Sequence, residues 1–173
     1  GGTINIATVA GVTNKLTLKG TSAASSNAGL SAVNFSGVIN GNDATSSINI
    51  LGTATNTSGA SWDNAINIAG AINGGGAPNI IIQSTGAKIQ TSAAITGANI
   101  SIDNTNGTIN TTAGATNGAI TTGTANSGGN GAISIGSSVM ASGNLNIYGA
   151  SSSNTGIQMT ATGAITRSEE RRV

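Results

Sequence analysis

Cysteine and histidine are absent from the 173 residues, proline occurs once, and Phe35, Trp62 and Tyr148 are the only aromatics. Charge is scarce too: six Lys or Arg and five Asp or Glu. Each absence excludes a chemistry. Without Cys or His there is no Cys/His zinc site, no thiol nucleophile and no Ser-His-Asp triad. So few basic residues, at a net charge of +1, make no electrostatic footprint for nucleic acid. No run of 18 apolar residues occurs, so no membrane-spanning helix is expected and this segment is not expected to insert into a bilayer.

What remains is narrow. Gly 27, Ala 26, Thr 24, Asn 22 and Ser 21 dominate, and Ile adds 22. Small polar residues at this density often make a disordered chain. The isoleucines argue otherwise, because β-branched side chains favour strands and these are patterned. An apolar–polar–apolar triad recurs as Ile4-Asn5-Ile6, Leu16-Thr17-Leu18, Val33-Asn34-Phe35, Ile48-Asn49-Ile50, Ile66-Asn67-Ile68, Ile100-Ser101-Ile102, Ile133-Ser134-Ile135, Leu145-Asn146-Ile147 and Ile157-Gln158-Met159. Ile80-Ile81-Ile82 is a variant with an apolar middle. Strict alternation is the signature of a strand with one face inward. No 3.6-residue stripe competes with it.

The triads begin at positions 4, 16, 33, 48, 66, 80, 100, 133, 145 and 157, a quasi-periodic series. A weaker unit fills some gaps: Gly70-Ala71-Ile72, Gly107-Thr108-Ile109, Gly118-Ala119-Ile120 and Gly163-Ala164-Ile165. Tracts such as Gly74-Gly75-Gly76 and Asn126-Ser127-Gly128-Gly129 read as corners, where Gly and Asn accept positive φ. Short strands with small corners fit a solenoid, a sandwich or a barrel. Three aromatics are too few to fill a sandwich core about 10 Å thick. The expected fold is all-β, a right-handed parallel β-helix of roughly six to eight irregular coils, each of about 20 to 30 residues. Aliphatic residues would stack inside, and outward Asn, Ser and Thr could form ladders. Asn-Gly pairs at Asn40, Asn73, Asn106, Asn117 and Asn130 keep antiparallel hairpins as an alternative.

Residues 1–166 form the repeat segment. Residues 167–173, Arg-Ser-Glu-Glu-Arg-Arg-Val, hold five of the eleven charges. A charged end would block edge-to-edge stacking. The heptapeptide is also the in-frame translation of a common sequencing adapter, so it is expected to be non-native read-through.

No catalytic chemistry emerges from the pattern. Asp43, Asp63 and Asp103 recur at one and then two lengths of a common interval and could share a face, but each sits beside Asn, Ser or Thr as in an Asx turn. Gly128-Gly129-Asn130-Gly131 lacks the Asp of a calcium roll. Gly74-Gly75-Gly76 leads into a strand run rather than a phosphate-binding helix. An ice-binding face needs Thr-x-Thr at constant spacing. Thr53-Ala54-Thr55, Thr122-Gly123-Thr124 and Thr160-Ala161-Thr162 are irregularly spaced. Glycosylation sequons at Asn34, Asn56, Asn99, Asn106 and Asn110 show no enrichment over chance. Tyr148 should point outward if Ile147 points inward, and could stack on a sugar; Trp62 lies next to a turn. The chain is therefore read as no enzyme, with no catalytic, cofactor or metal residue.

The repeated Ile-Asn-Ile, the stretches 96–112 (TGANISIDNTNGTINTT) and 143–166 (GNLNIYGASSSNTGIQMTATGAIT), and the absence of Cys resemble the filamentous haemagglutinin-like adhesins. These are long β-helical exoproteins of Gram-negative bacteria, and autotransporter passengers share the style. The resemblance spans about residues 3–166 and carries no site residue over. It implies a shaft segment of an extracellular or cell-surface adhesin, serving adhesion or biofilm. Its implied partners are an outer-membrane secretion pore and host, biofilm or glycan surfaces. A chain without Cys suits passage through such a pore unfolded. A polysaccharide-binding or polysaccharide-cleaving β-helix is the alternative reading, and an ice-binding solenoid a remoter one.

Overall fold

A computed structural model describes residues 2–6, 14–22, 31–41, 46–54, 64–74, 79–85, 88–104, 108–109, 120–121, 133–149, 157–159 and 164–167. They contain strands and no helix. In chain order the strands are β1 (Thr3–Ile6), β2 (Lys15–Ser22), β3 (Val33–Phe35), β4 (Val38–Gly41), β5 (Ser47–Ala54), β6 (Asn64–Ile68), β7 (Ile72–Gly74), β8 (Asn79–Thr85) and β9 (Lys88–Thr91). There follow β10 (Ile95–Gly97), β11 (Ile100–Asn104), β12 (Thr108–Ile109), β13 (Ile120–Thr121), β14 (Ile133–Ile135), β15 (Ser138–Ala141), β16 (Leu145–Gly149), β17 (Ile157–Met159) and β18 (Ala164–Arg167). All ten triads lie in strands, as alternation requires.

Apart from β12 and β13, which pair with each other, every third strand stacks on the one a turn earlier. Sheet 1 has the order β1-β4-β7-β10-β15-β18, sheet 2 β2-β5-β8-β11-β16 and sheet 3 β3-β6-β9-β14-β17. All pairs in these three sheets are parallel. The fold is thus a parallel β-solenoid. The described residues make five three-stranded turns and the first strand of a sixth. That count lies below the expected range because several turns are longer than anticipated. One turn runs from Ile4 to Ile39, and another from Ile95 to Val139.

The register aligns like with like. In sheet 1, Ile4, Ile39, Ile72, Ile95, Val139 and Ile165 form one column. In sheet 2, Leu16, Ile48, Ile80, Ile100 and Leu145 form a second, and Leu18, Ile50, Ile82, Ile102 and Ile147 a third. Their middle members are fully buried. A narrow core needs no aromatics, because each isoleucine packs on its counterparts one strand spacing, about 4.8 Å, above and below.

Sheet 1 departs from the triad pattern. After the Ile4-Asn5-Ile6 triad of β1, its second inward position is small from β4 to β15: Gly41, Gly74, Gly97 and Ala141. The Ile80 side chain occupies the space a Cβ on Gly74 would need, 2.6 Å from its Cδ1. Other glycines serve close backbone approach. A Cβ on Gly52 would lie 2.6 Å from the Ala65 carbonyl oxygen, and one on Gly70 2.7 Å from the Ser36 carbonyl carbon. None of Gly20, Gly37, Gly52, Gly70, Gly74 and Gly97 has a positive φ. At these positions glycine makes room rather than left-handed turns, and Gly74, read from sequence as the start of a corner, is the last residue of β7.

The hairpin alternative is corrected too. Asn40-Gly41 and Asn73-Gly74 lie inside parallel strands β4 and β7. Their asparagines build a ladder up the rod: Asn40 Nδ2 donates to Asn5 Oδ1 at 2.8 Å, and Asn73 Nδ2 to Asn40 Oδ1 at 3.0 Å. Sheet 3 repeats this with Asn67 Nδ2 donating to Asn34 Oδ1 at 3.1 Å. Asn106, Asn117 and Asn130 lie outside the described residues. Among the described residues one antiparallel pair, β12 with β13, occurs between β11 and β14. Strand β18 runs through Arg167, one residue past the 166/167 boundary, because Arg167 pairs with Ala141.

In sheet 3 a polar residue takes an inward position: Thr91 stands in register between Ile68 and Ile135 at 1% exposure, and its Oγ1 has no hydrogen-bond partner among the described residues. Thr91→Val keeps the shape and removes an unsatisfied hydroxyl. It is expected to stabilise the fold by about 1 kcal/mol, read as a raised urea midpoint at unchanged m.

Candidate functional site

Among the described residues, the outer face of sheet 2 is where outward side chains are buried together. Its first outward row is Thr17, Asn49, Ile81, Ser101 and Asn146; its second is Lys19, Leu51, Gln83, Asp103 and Tyr148. The inward neighbours Ile48, Ile50, Ile80, Ile82, Ile100 and Ile102 belong to the core. Ile81 is buried yet stands outside that core cluster. Asn49, Ile81 and Ser101 are 2%, 3% and 3% exposed, and Asp103 is fully buried. The row ends differ: Thr17 and Lys19 are exposed, while Asn146 and Tyr148 are half-buried. So the centre of this face is covered and its two ends are open.

Alternation puts the middle residue of each triad outward, and outward means exposed for Asn34, half-buried for Asn67 and buried for Asn49 and Ser101. The last two form no ladder. Among the described residues, both side-chain amide atoms of Asn49 and the Ser101 Oγ lack hydrogen-bond partners. The signal was in the sequence. An apolar middle residue, Ile81, has no reason to face water, and its row neighbours share its surroundings. Asn49→Val should therefore stabilise the chain by about 1 kcal/mol in thermal or urea unfolding, since it removes two unpaired buried polar atoms. A loss of similar size would mean that this face is wet.

Of the three acids found from sequence, Asp103 alone lies among the described residues, in strand β11. Asp103 pairs in register with Gln83 and Tyr148 and is engaged in further polar interactions. Asp43, Asp63 and Trp62 lie outside the described residues. Among the described residues no three acids gather that could hold a metal ion. Tyr148 is outward, next to inward Ile147, as alternation required. Among the described residues, this face thus sets one carboxylate beside one phenol.

The other sequence candidates are structural where they can be placed. Asn34 accepts a hydrogen bond from Asn67, and Asn99 Oδ1 accepts one from the Asn144 backbone N–H at 2.9 Å. Asn56, Asn106 and Asn110 lie outside the described residues. Thr53 belongs to a column that Thr-x-Thr spacing does not reveal: Thr21, Thr53 and Thr85 are in register, with a 3.3 Å hydroxyl contact from Thr85 to Thr53. Among the described residues it is a single file over three turns. Thr55, Thr122, Thr124, Thr160 and Thr162 lie outside the described residues. No family model, curated protein or solved structure matches the chain.

Proposed function

We propose that this chain is a shaft segment of a large secreted or cell-surface bacterial adhesin, acting as a β-solenoid rod that mediates adhesion or biofilm cohesion. The observation that supports it is the continuity of the stack. Ten triads from all parts of the chain join three parallel sheets, with asparagine ladders outside. Such an object resists bending and presents long repetitive faces, which suits distributed weak contacts rather than one pocket. Export through an outer-membrane pore, with folding outside, goes with this reading.

The test couples two measurements on one preparation. The purified chain is applied to a glycan array and to biofilm or host-cell surfaces, and is incubated with pectin and alginate. Retention on a surface without depolymerisation is the expected result. Turnover of either polymer would replace the shaft with a polysaccharide-cleaving β-helix.

A further inference from the structure

Sheet 1 carries an Asn-Gly pair at two successive turns, Asn40-Gly41 in β4 and Asn73-Gly74 in β7. Packing asks for both residues. Asn40 and Asn73 are ladder members on the outer face. Gly41 and Gly74 hold the small inward column, where the Ile80 side chain takes the room that a Cβ on Gly74 would need. At the same register β10 reads Thr96-Gly97 and β15 Met140-Ala141, with no side-chain amide.

Asn-Gly is also the dipeptide that cyclises most readily in an unstructured chain, because glycine leaves its nitrogen unhindered. The glycine nitrogen gives up its proton and attacks the asparagine Cγ. The Cγ–Nδ2 bond breaks, and the amide nitrogen takes up a proton and leaves as ammonia. Water then opens the succinimide ring at either carbonyl, giving aspartate or isoaspartate. Water is the only co-reactant, and nothing is oxidised or reduced.

The rod opposes the first step in three ways. Ring closure needs the glycine nitrogen alongside the asparagine Cβ, and a parallel strand, with ψ of about +115°, turns it away. The glycine N–H groups are also committed. Ile39 N–H donates to Ala71 C=O at 3.0 Å, so alternation points the Gly41 N–H at the Asn73 carbonyl. Ile72 N–H donates to Ala94 C=O at 3.0 Å, so the Gly74 N–H points at the Thr96 carbonyl. Both glycines are buried. Finally, the side-chain amides are tethered. Asn40 is held at both atoms, donating to Asn5 and accepting from Asn73, whereas Asn73 is exposed and donates to Asn40 alone in the ladder. We propose that the two pairs are self-modification sites that only the opening of sheet 1 makes reactive, Asn73 before Asn40, and that isoaspartate at position 73 bars the rod from re-forming. Isoaspartate carries the main chain through Cβ and Cγ, which lengthens it, so β7 loses the register that sets Ile72 on Ile95 and Gly74 on Gly97. A carboxylate at position 73 also has no N–H for Asn40 Oδ1, so the ladder opens from there toward β4. The proposal does not depend on the adhesive role.

Peptide mapping by mass spectrometry tests it on the full chain, incubated at mildly alkaline pH with and without enough urea to unfold it. In urea both pairs should convert at similar rates. In native buffer both should convert about tenfold more slowly or less, because only locally opened molecules react, and Asn73 should lead. Ile95→Ala loosens β10 against β7 without touching either pair. It should speed Asn73 more than Asn40. Should that variant lose its β spectrum, the wild type with and without urea decides alone. Equal rates in the two conditions, no conversion in urea, or Asn40 leading in native buffer would each overturn the proposal. Chains converted in urea are then diluted and separated by size exclusion. Isoaspartate at position 73 should be confined to the chains that stay expanded, and its presence in refolded rods at an equal level would overturn the claimed bar to refolding.

Discussion

Ile50→Ala is expected to cost about 2–5 kcal/mol, the sum of lost transfer energy and an unfilled cavity. Ile50 is fully buried and stands in register between Leu18 and Ile82, so truncation leaves a gap along the column as well as across it. The surroundings cannot close that gap easily, because each inner strand is pinned to two neighbours by its ladder. Since a solenoid turn contacts mainly adjacent turns, the damage should be local. Hydrogen exchange should lose protection first in the strands of the first three turns, with Ile100–Asn104 and Leu145–Gly149 following later. Uniform loss across all turns would contradict a quasi-one-dimensional rod.

Gly70→Ala is the second large effect. The methyl would meet the Gly37 carbonyl group and the Ser36 carbonyl carbon, all backbone of the preceding turn. No rotamer change relieves such an overlap, so two stacked corners must separate. A loss of about 1–3 kcal/mol is expected, as for overpacked cores, measured by urea unfolding. A neutral result would show that the corner between sheets 3 and 1 is slack.

How legible each sheet is from sequence depends on how many bulky residues its strands turn inward. Triads such as Ile48-Asn49-Ile50 place two inward, so period-two alternation exposes them. That accounts for sheets 2 and 3 apart from β9. Sheet 1 was largely hidden because Ile72-Asn73-Gly74 and Ile95-Thr96-Gly97 put only one bulky residue inward, and a lone isoleucine before a glycine carries no period. Its columns became visible only through pairing. The candidate site was less legible. Alternation gives the side of a sheet on which Asn49, Ser101 and Asp103 lie, but not whether that side is covered. Ile81 and Leu51, apolar at outward positions, betrayed it.

The length of chain per turn is nearly free, whereas the length of each stacked strand is not. Ile72 returns to its column at Ile95, and Ile95 returns at Val139 by a path almost twice as long, yet both steps preserve register. The longer step includes everything between Asn104 and Ile133, and β14 still pairs with β9 residue for residue. The rod can therefore acquire or discard whole peptides at that corner without altering its axis. In engineering terms it is a display scaffold. A foreign epitope spliced between β11 and β14 would be carried at a fixed height on the rod. A lineage could likewise change what the rod shows to its surroundings while leaving the isoleucine columns untouched.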